Sequence, residues 1–195
     1  MFQLEHKKHL IYILGTLAFF LFTIADTIIK LIGNLYKDTV IFSVASFAAV
    51  IPVLCYLLYR RSLEEVKTNN YKLHFIRGIL MTLTYYFIVK GIILLPLSIA
   101  YPIILSAPVL LSLLGIIILK EKIYFSKIIS LILAMSAVFL VSGFSLKQGF
   151  DKIGVLFLLA GVISLACLDF TVRVYGKSER TVALTFYSML ISGLI

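Results

Sequence analysis

Apolar residues run along this chain in long blocks, and polar residues gather between them. Blocks at residues 10–32, 39–59, 75–95, 98–119, 128–144 and 154–172 stand out. Each falls in the range of roughly 17–25 residues that crosses a bilayer as a helix. A last block, 182–195, holds 14 residues and reads as the opening part of a seventh span. None of the blocks alternates apolar with polar positions, which argues against a β-barrel. In hydrocarbon an unpaired amide costs several kcal/mol, so segments of this kind satisfy their own backbone as helices. The predicted class is an all-α polytopic membrane protein of about six and a half helices.

Composition closes off the soluble alternatives. The chain is 62% hydrophobic and 14% charged, with a mean hydropathy of +1.10. A soluble domain is roughly half apolar and a quarter charged, so lipid must cover the excess. The net charge of +9 does not point to nucleic acid, because the basic residues sit in the loops that flank spans. With the N-terminus inside, thirteen Lys and Arg fall on the inner side and five on the outer. That bias predicts a cytoplasmic N-terminus and a multi-pass protein of the inner or plasma membrane. The first block is too long for a cleaved signal sequence, whose apolar core runs roughly 7–15 residues, and is read as a retained span. Cys55 and Cys167 lie inside apolar blocks and are read as packing residues.

The chain is organised around residues 76–121, two spans joined at Leu95-Pro96-Leu97-Ser98 with room only for a tight turn. Pro102 and Pro108 interrupt the second of them. Each removes an amide donor, leaving the carbonyls of Ser98 and Ile104 without the usual partner. At membrane depth such a break is tolerated beside hydroxyls, neighbours or a watery cavity.

An internal repeat accompanies this hairpin. ADTIIKLIG at residues 25–33 parallels LDFTVRVYG at residues 168–176, so Asp26, Lys30 and Gly33 fall on Asp169, Arg173 and Gly176 at a constant offset of 143. Thr39-Val40 and Ser46 parallel Thr181-Val182 and Ser188 after a one-residue gap. The repeat unit holds five helices, an odd number, so two units must lie in opposite orientations. Inverted repeats of this kind are a hallmark of secondary transporters, whose substrate sites lie near midplane between the repeats. The expected division is a first repeat at 1–147 and the start of a second, inverted one at 148–195.

The pair Arg77-Gly78, followed by LLPLSIAYPI at 94–103 and SAPVLLSLLGIIILKEKI at 106–123, resembles the EamA family of the drug/metabolite transporter superfamily. The family's hairpin pattern is met at residues 95–100, Pro108, Gly115 and Glu121. The resemblance covers 10–143 well and 154–195 in part. It implies a ten-helix transporter of small metabolites, with a cavity lined by the first, third, fourth and sixth helices. Helices seven to ten of that pattern are wholly or partly missing from this sequence. A non-transporting remnant, or a half-transporter completed by self-association or a separately encoded second half, is therefore the alternative expectation.

Six residues are candidates for substrate binding: Asp26, Tyr85, Tyr86, Tyr101, Ser106 and Asp169. Charge inside a bilayer is expensive, and marks either a functional site or a paired group. Asp26 and Lys30 share a helical face, as do Asp169 and Arg173. The two acids read as substrate or proton sites, or as members of ion pairs whose bases snorkel to the interface. Tyr85 and Tyr86 lie mid-span, where a phenol needs a partner, and one of them is expected to face the interior. Tyr101 and Ser106 stand beside the proline breaks and could serve the backbone or a ligand. Lys90 is read as snorkelling, Arg77 as a topology signal, and Glu121 as a local salt bridge with its lysine neighbours. His6, His9 and His74 fall at or beyond span edges. No cofactor or metal is expected, and no nucleophile, base and acid converge as an enzyme would need. No nucleotide-binding glycine loop is present. The expected partners are a small-molecule substrate and the lipid bilayer.

Overall fold

The computed structural model describes residues 2–121, 128, 129, 132, 133, 136, 140, 151–176 and 179–195, with the backbone path alone for 2–11. The described chain forms α1 (Phe2–Ile32), α2 (Asp38–Arg60), a 3₁₀ turn (Leu63–Val66), α3 (Tyr71–Leu94), α4 (Leu97–Ile104), α5 (Ala107–Leu119), α6 (Lys152–Tyr175) and α7 (Thr181–Leu194). There is no strand among the described residues. Among the described residues five segments are long and apolar enough to span a membrane: Tyr12–Ile32, Asp38–Arg60, Tyr71–Leu94, Leu97–Leu119 and Lys152–Tyr175. The protein is thus an all-α polytopic membrane protein. The expected span at 128–144, with its small-residue face of Ser130, Ala134 and Ala137, lies largely outside the described residues.

Local sequence accounts for most of the boundaries. Asn70 caps α3 by accepting from the Leu73 amide at 3.3 Å, and Asp151 caps α6 by accepting from Ile153 at 2.8 Å. At the other ends, Arg61 and Lys120 take the left-handed conformation at φ 50° and 52° to close α2 and α5. The fourth span is two helices. It breaks at Leu105-Ser106, and Pro108 sits at the start of α5, where a missing amide costs little.

α3 is the central helix. It packs against α6 along its length, against α7 and α2 on either side, and against α1 and α4 near its end. Close approach to α6 depends on glycine, because a Cβ at Gly91 would fall on the side chain of Leu158. Ile92, Leu95, Ile99, Ala100 and Leu158 form the buried cluster where α3, α4 and α6 meet. Elsewhere large apolar side chains face outward, Phe20 at 62% and Tyr59 at 88% exposure among them, as a lipid-facing surface requires. Cys55 belongs to that outward face and is not a packing residue; Cys167 is half-buried.

Candidate functional site

A cavity of about 380 Å³ opens between α1, α3, α6 and α7, with Ile104 of α4 at its edge. The seventh helix therefore joins the first, third, fourth and sixth around it. Charge distinguishes this cavity from a larger hollow of about 520 Å³ between α1 and α2, which is lined by Ala, Ile, Val and Tyr36 alone. Asp26 enters the cavity from α1, Arg77 and Tyr85 from α3, Asp169 from α6 and Ser188 from α7. Phe22 and Phe19 precede Asp26 by four and seven residues, which sets all three on one helical face.

The ion pairs within α1 and within α6 that the spacing suggested do not form. Lys30 turns away from Asp26 and donates to the carbonyls of Ile92 at 2.8 Å, Ile93 at 2.6 Å and Leu95 at 2.9 Å. These groups end α3 and have no partner in the helix, so an ammonium satisfies both the lone pairs and the negative end of the helix dipole. Asp26 instead accepts from the Tyr101 hydroxyl at 2.9 Å. Arg173 bonds Glu121 at 3.2 Å across to α5, so Glu121 makes a long-range pair as well as any local contact. Lys90 pairs with Asp38 at the start of α2.

The candidate residues separate accordingly. Asp26, Tyr85 and Asp169 line the cavity, and Tyr101 reaches it through Asp26. Tyr86 points elsewhere, packing edge-on against Phe87 and Phe157 at the α3–α6 contact. The Ser106 hydroxyl donates to the Ile103 carbonyl at 2.6 Å, a local contact at the helix break, and does not line the cavity. Tyr85 rests against Phe42 of α2 with ring centres 5.8 Å apart.

Two buried polar groups were not anticipated from sequence. Arg77 is not a topology signal at the membrane surface. It is buried, with Nε donating to the Ser188 hydroxyl at 3.2 Å and Nη1 to the Leu168 carbonyl at 3.0 Å and the Thr171 hydroxyl. It thereby ties α3 to α6 and α7 at one end of the cavity and lies within electrostatic reach of Asp169. The second group is His74, also buried, one turn earlier. Its Nε2 is 2.9 Å from the Thr68 hydroxyl, and that hydroxyl donates to Glu179 at 3.0 Å. Because the hydroxyl hydrogen is committed to Glu179, Nε2 carries the imidazole proton. His74 falls outside the apolar block that starts at Phe75, whereas α3 begins at Tyr71 and takes it into the first turn; Arg77 falls inside that block, and its partners lie on α6 and α7. The capping asparagine at position 70 was the signal available.

The cavity thus brings a carboxylate from α1 together with a guanidinium from α3 and a second carboxylate from α6. Among the described residues, no group of three or more His, Cys, Asp or Glu could hold a metal ion. No curated protein and no solved structure matches the chain. The model of the EamA-like transporter family matches residues 9–143, the region that holds the organising hairpin. The protein belongs to the EamA-like transporter family.

Proposed function

We propose that the protein is a secondary transporter of a small polar metabolite, an amino acid or related compound, working by alternating access between two inverted repeats. The observation that carries this reading is that Asp26 and Asp169, equivalent across the repeat, line the same cavity. Element boundaries support the repeat. α1 ends at Ile32 and α6 at Tyr175, and α2 begins at Asp38 and α7 at Thr181, each pair 143 residues apart. A polar site between opposed repeats is the usual location for substrate in such proteins. The test compares small-molecule pools, inside and outside, of cells producing the chain and cells producing Asp26→Asn at equal membrane levels. A defined set of polar metabolites should redistribute across the membrane, and the variant should reduce that effect at least tenfold. Redistribution of nothing overturns the transport reading; an undiminished effect in the variant removes Asp26 from it.

The basic-residue bias supports a cytoplasmic N-terminus, which sets the Asp26 end of the cavity toward the outside and the Arg77 end toward the cytoplasm. Lys37 and Lys67 are both exposed, in the loops before and after α2. Lys37→Cys should react with a membrane-impermeant maleimide on intact cells, and Lys67→Cys only after permeabilisation. The opposite pattern inverts the topology.

A further inference from the structure

The charges around the cavity do not balance locally, and the imbalance specifies a ligand. Four described basic residues lie in the membrane-spanning helices near the site, and each is engaged elsewhere. Lys30 is bound to three carbonyls at the end of α3, Lys90 to Asp38, and Arg173 to Glu121. Arg77 is committed to Ser188, Leu168 and Thr171, with Asp169 nearby. Asp26 is left with one neutral donor, the Tyr101 hydroxyl, and no cationic partner among the described residues. A carboxylate within the membrane needs a compensating cation or a proton. Around it the cavity presents Phe19, Phe22 and Tyr85, whose ring faces attract a cation.

We infer that the cavity selects monoamines carried as organic ammonium ions, with the ammonium on Asp26 and the apolar body against the aromatic rings. Zwitterions are selected against. An α-amino acid holds its carboxylate about one residue's length from its amine, so it would set a second anion beside Asp26. The cavity's own guanidinium is already committed to Ser188, Leu168 and Thr171, with Asp169 beside it. Tyr85 is within electrostatic reach of Asp26, and Arg77 lies eight residues earlier on α3, about 12 Å along the axis at 1.5 Å per residue. The inference rests on the cavity being the transport site, and narrows the amino acid or related compound named above to the amine without its carboxylate.

Three probes of one shape separate charge from bulk: 2-phenylethylamine, phenylalanine and 2-phenylethanol. Equilibrium binding of labelled 2-phenylethylamine is measured on the full chain in lipid nanodiscs, with the other two as competitors. Saturable binding is expected, with both competitors at least tenfold weaker. Asp26→Asn should weaken binding at least tenfold, and Asp26→Glu should retain it; a thermal unfolding curve establishes that each variant is folded. Absence of binding, equal competition by phenylalanine or 2-phenylethanol, or unchanged binding in a folded Asp26→Asn protein overturns the inference. Binding needs no flux, so the two readings fail separately. Amine binding without movement across a vesicle would sink transport alone, and Asp26-independent flux of phenylalanine would sink amine selection alone.

Discussion

Gly91→Leu is expected to destabilise the protein by about 3 kcal/mol, the upper end of what overpacking a core usually costs. Gly15→Leu should change stability by less than about 1 kcal/mol, since at an open helical site it trades a poor helix former for a good one. The contrast follows from what surrounds each glycine. A Cβ at Gly91 would overlap Leu158, a side chain with no exposed surface, and press on the Gly154 carbonyl at 3.3 Å. At Gly15 there is nothing within 4 Å. In a bilayer the cost is not recovered elsewhere, because lipid is as apolar as leucine and helix association depends on fit. Unfolding of the three proteins in mixed micelles measures the difference. Adding Leu158→Ala to Gly91→Leu should return part of the loss, since it vacates the space the new side chain needs. Equal midpoints for the two glycine variants would show that α3 and α6 are not held by this close approach.

The spans were legible in sequence because hydropathy reads the solvent, and the bilayer imposes one solvent on every segment. Partner choice was not legible. Asp26 with Lys30, and Asp169 with Arg173, have the spacing of ion pairs on one helix. Yet Lys30 goes to carbonyls some sixty residues away and Arg173 to Glu121. The unmet acceptors at the end of α3 are strong attractors, but they exist only once α1 lies beside them, so no local pattern announces them. The same holds for Arg77. Its position looked like a loop edge while the span was measured by apolar content alone. The Asn70 cap starts the helix at Tyr71, and Arg77 meets its acceptors only where α6 and α7 pack beside it. Tyr85 and Tyr86 show the limit from another side. Adjacent helical residues point about 100° apart, so one could face the interior, but which one depended on where α6 packs. Of the two expected proline breaks one is present, at Leu105-Ser106 ahead of Pro108, while Pro102 lies inside α4; Ser106 donates to the Ile103 carbonyl beside the break.

Removing the acceptors around Arg77 should be worse than removing Arg77 with them. Ser188→Ala combined with Thr171→Val is expected to cost about 3 kcal/mol, the scale of stranding a buried charge without its partners. Both hydroxyls donate back into their own helices, to Leu184 at 2.6 Å and Leu168 at 2.6 Å, and so turn lone pairs toward the guanidinium. Without them Arg77 keeps, among the described residues, the Leu168 carbonyl as hydrogen-bond acceptor and the nearby Asp169 charge, and its Nε hydrogen is left in a buried site. Adding Arg77→Met to the pair should restore more than half of the loss, because the charge that needed those oxygens is gone and methionine fills similar space. A triple variant less stable than the double would mean that Arg77 stabilises by packing or by offsetting the Asp169 charge, not through its hydrogen bonds. The recovered protein should still fail to move metabolites. Arg77 hydrogen-bonds α3 to both α6 and α7 at the cavity wall, and methionine can occupy its volume without binding either.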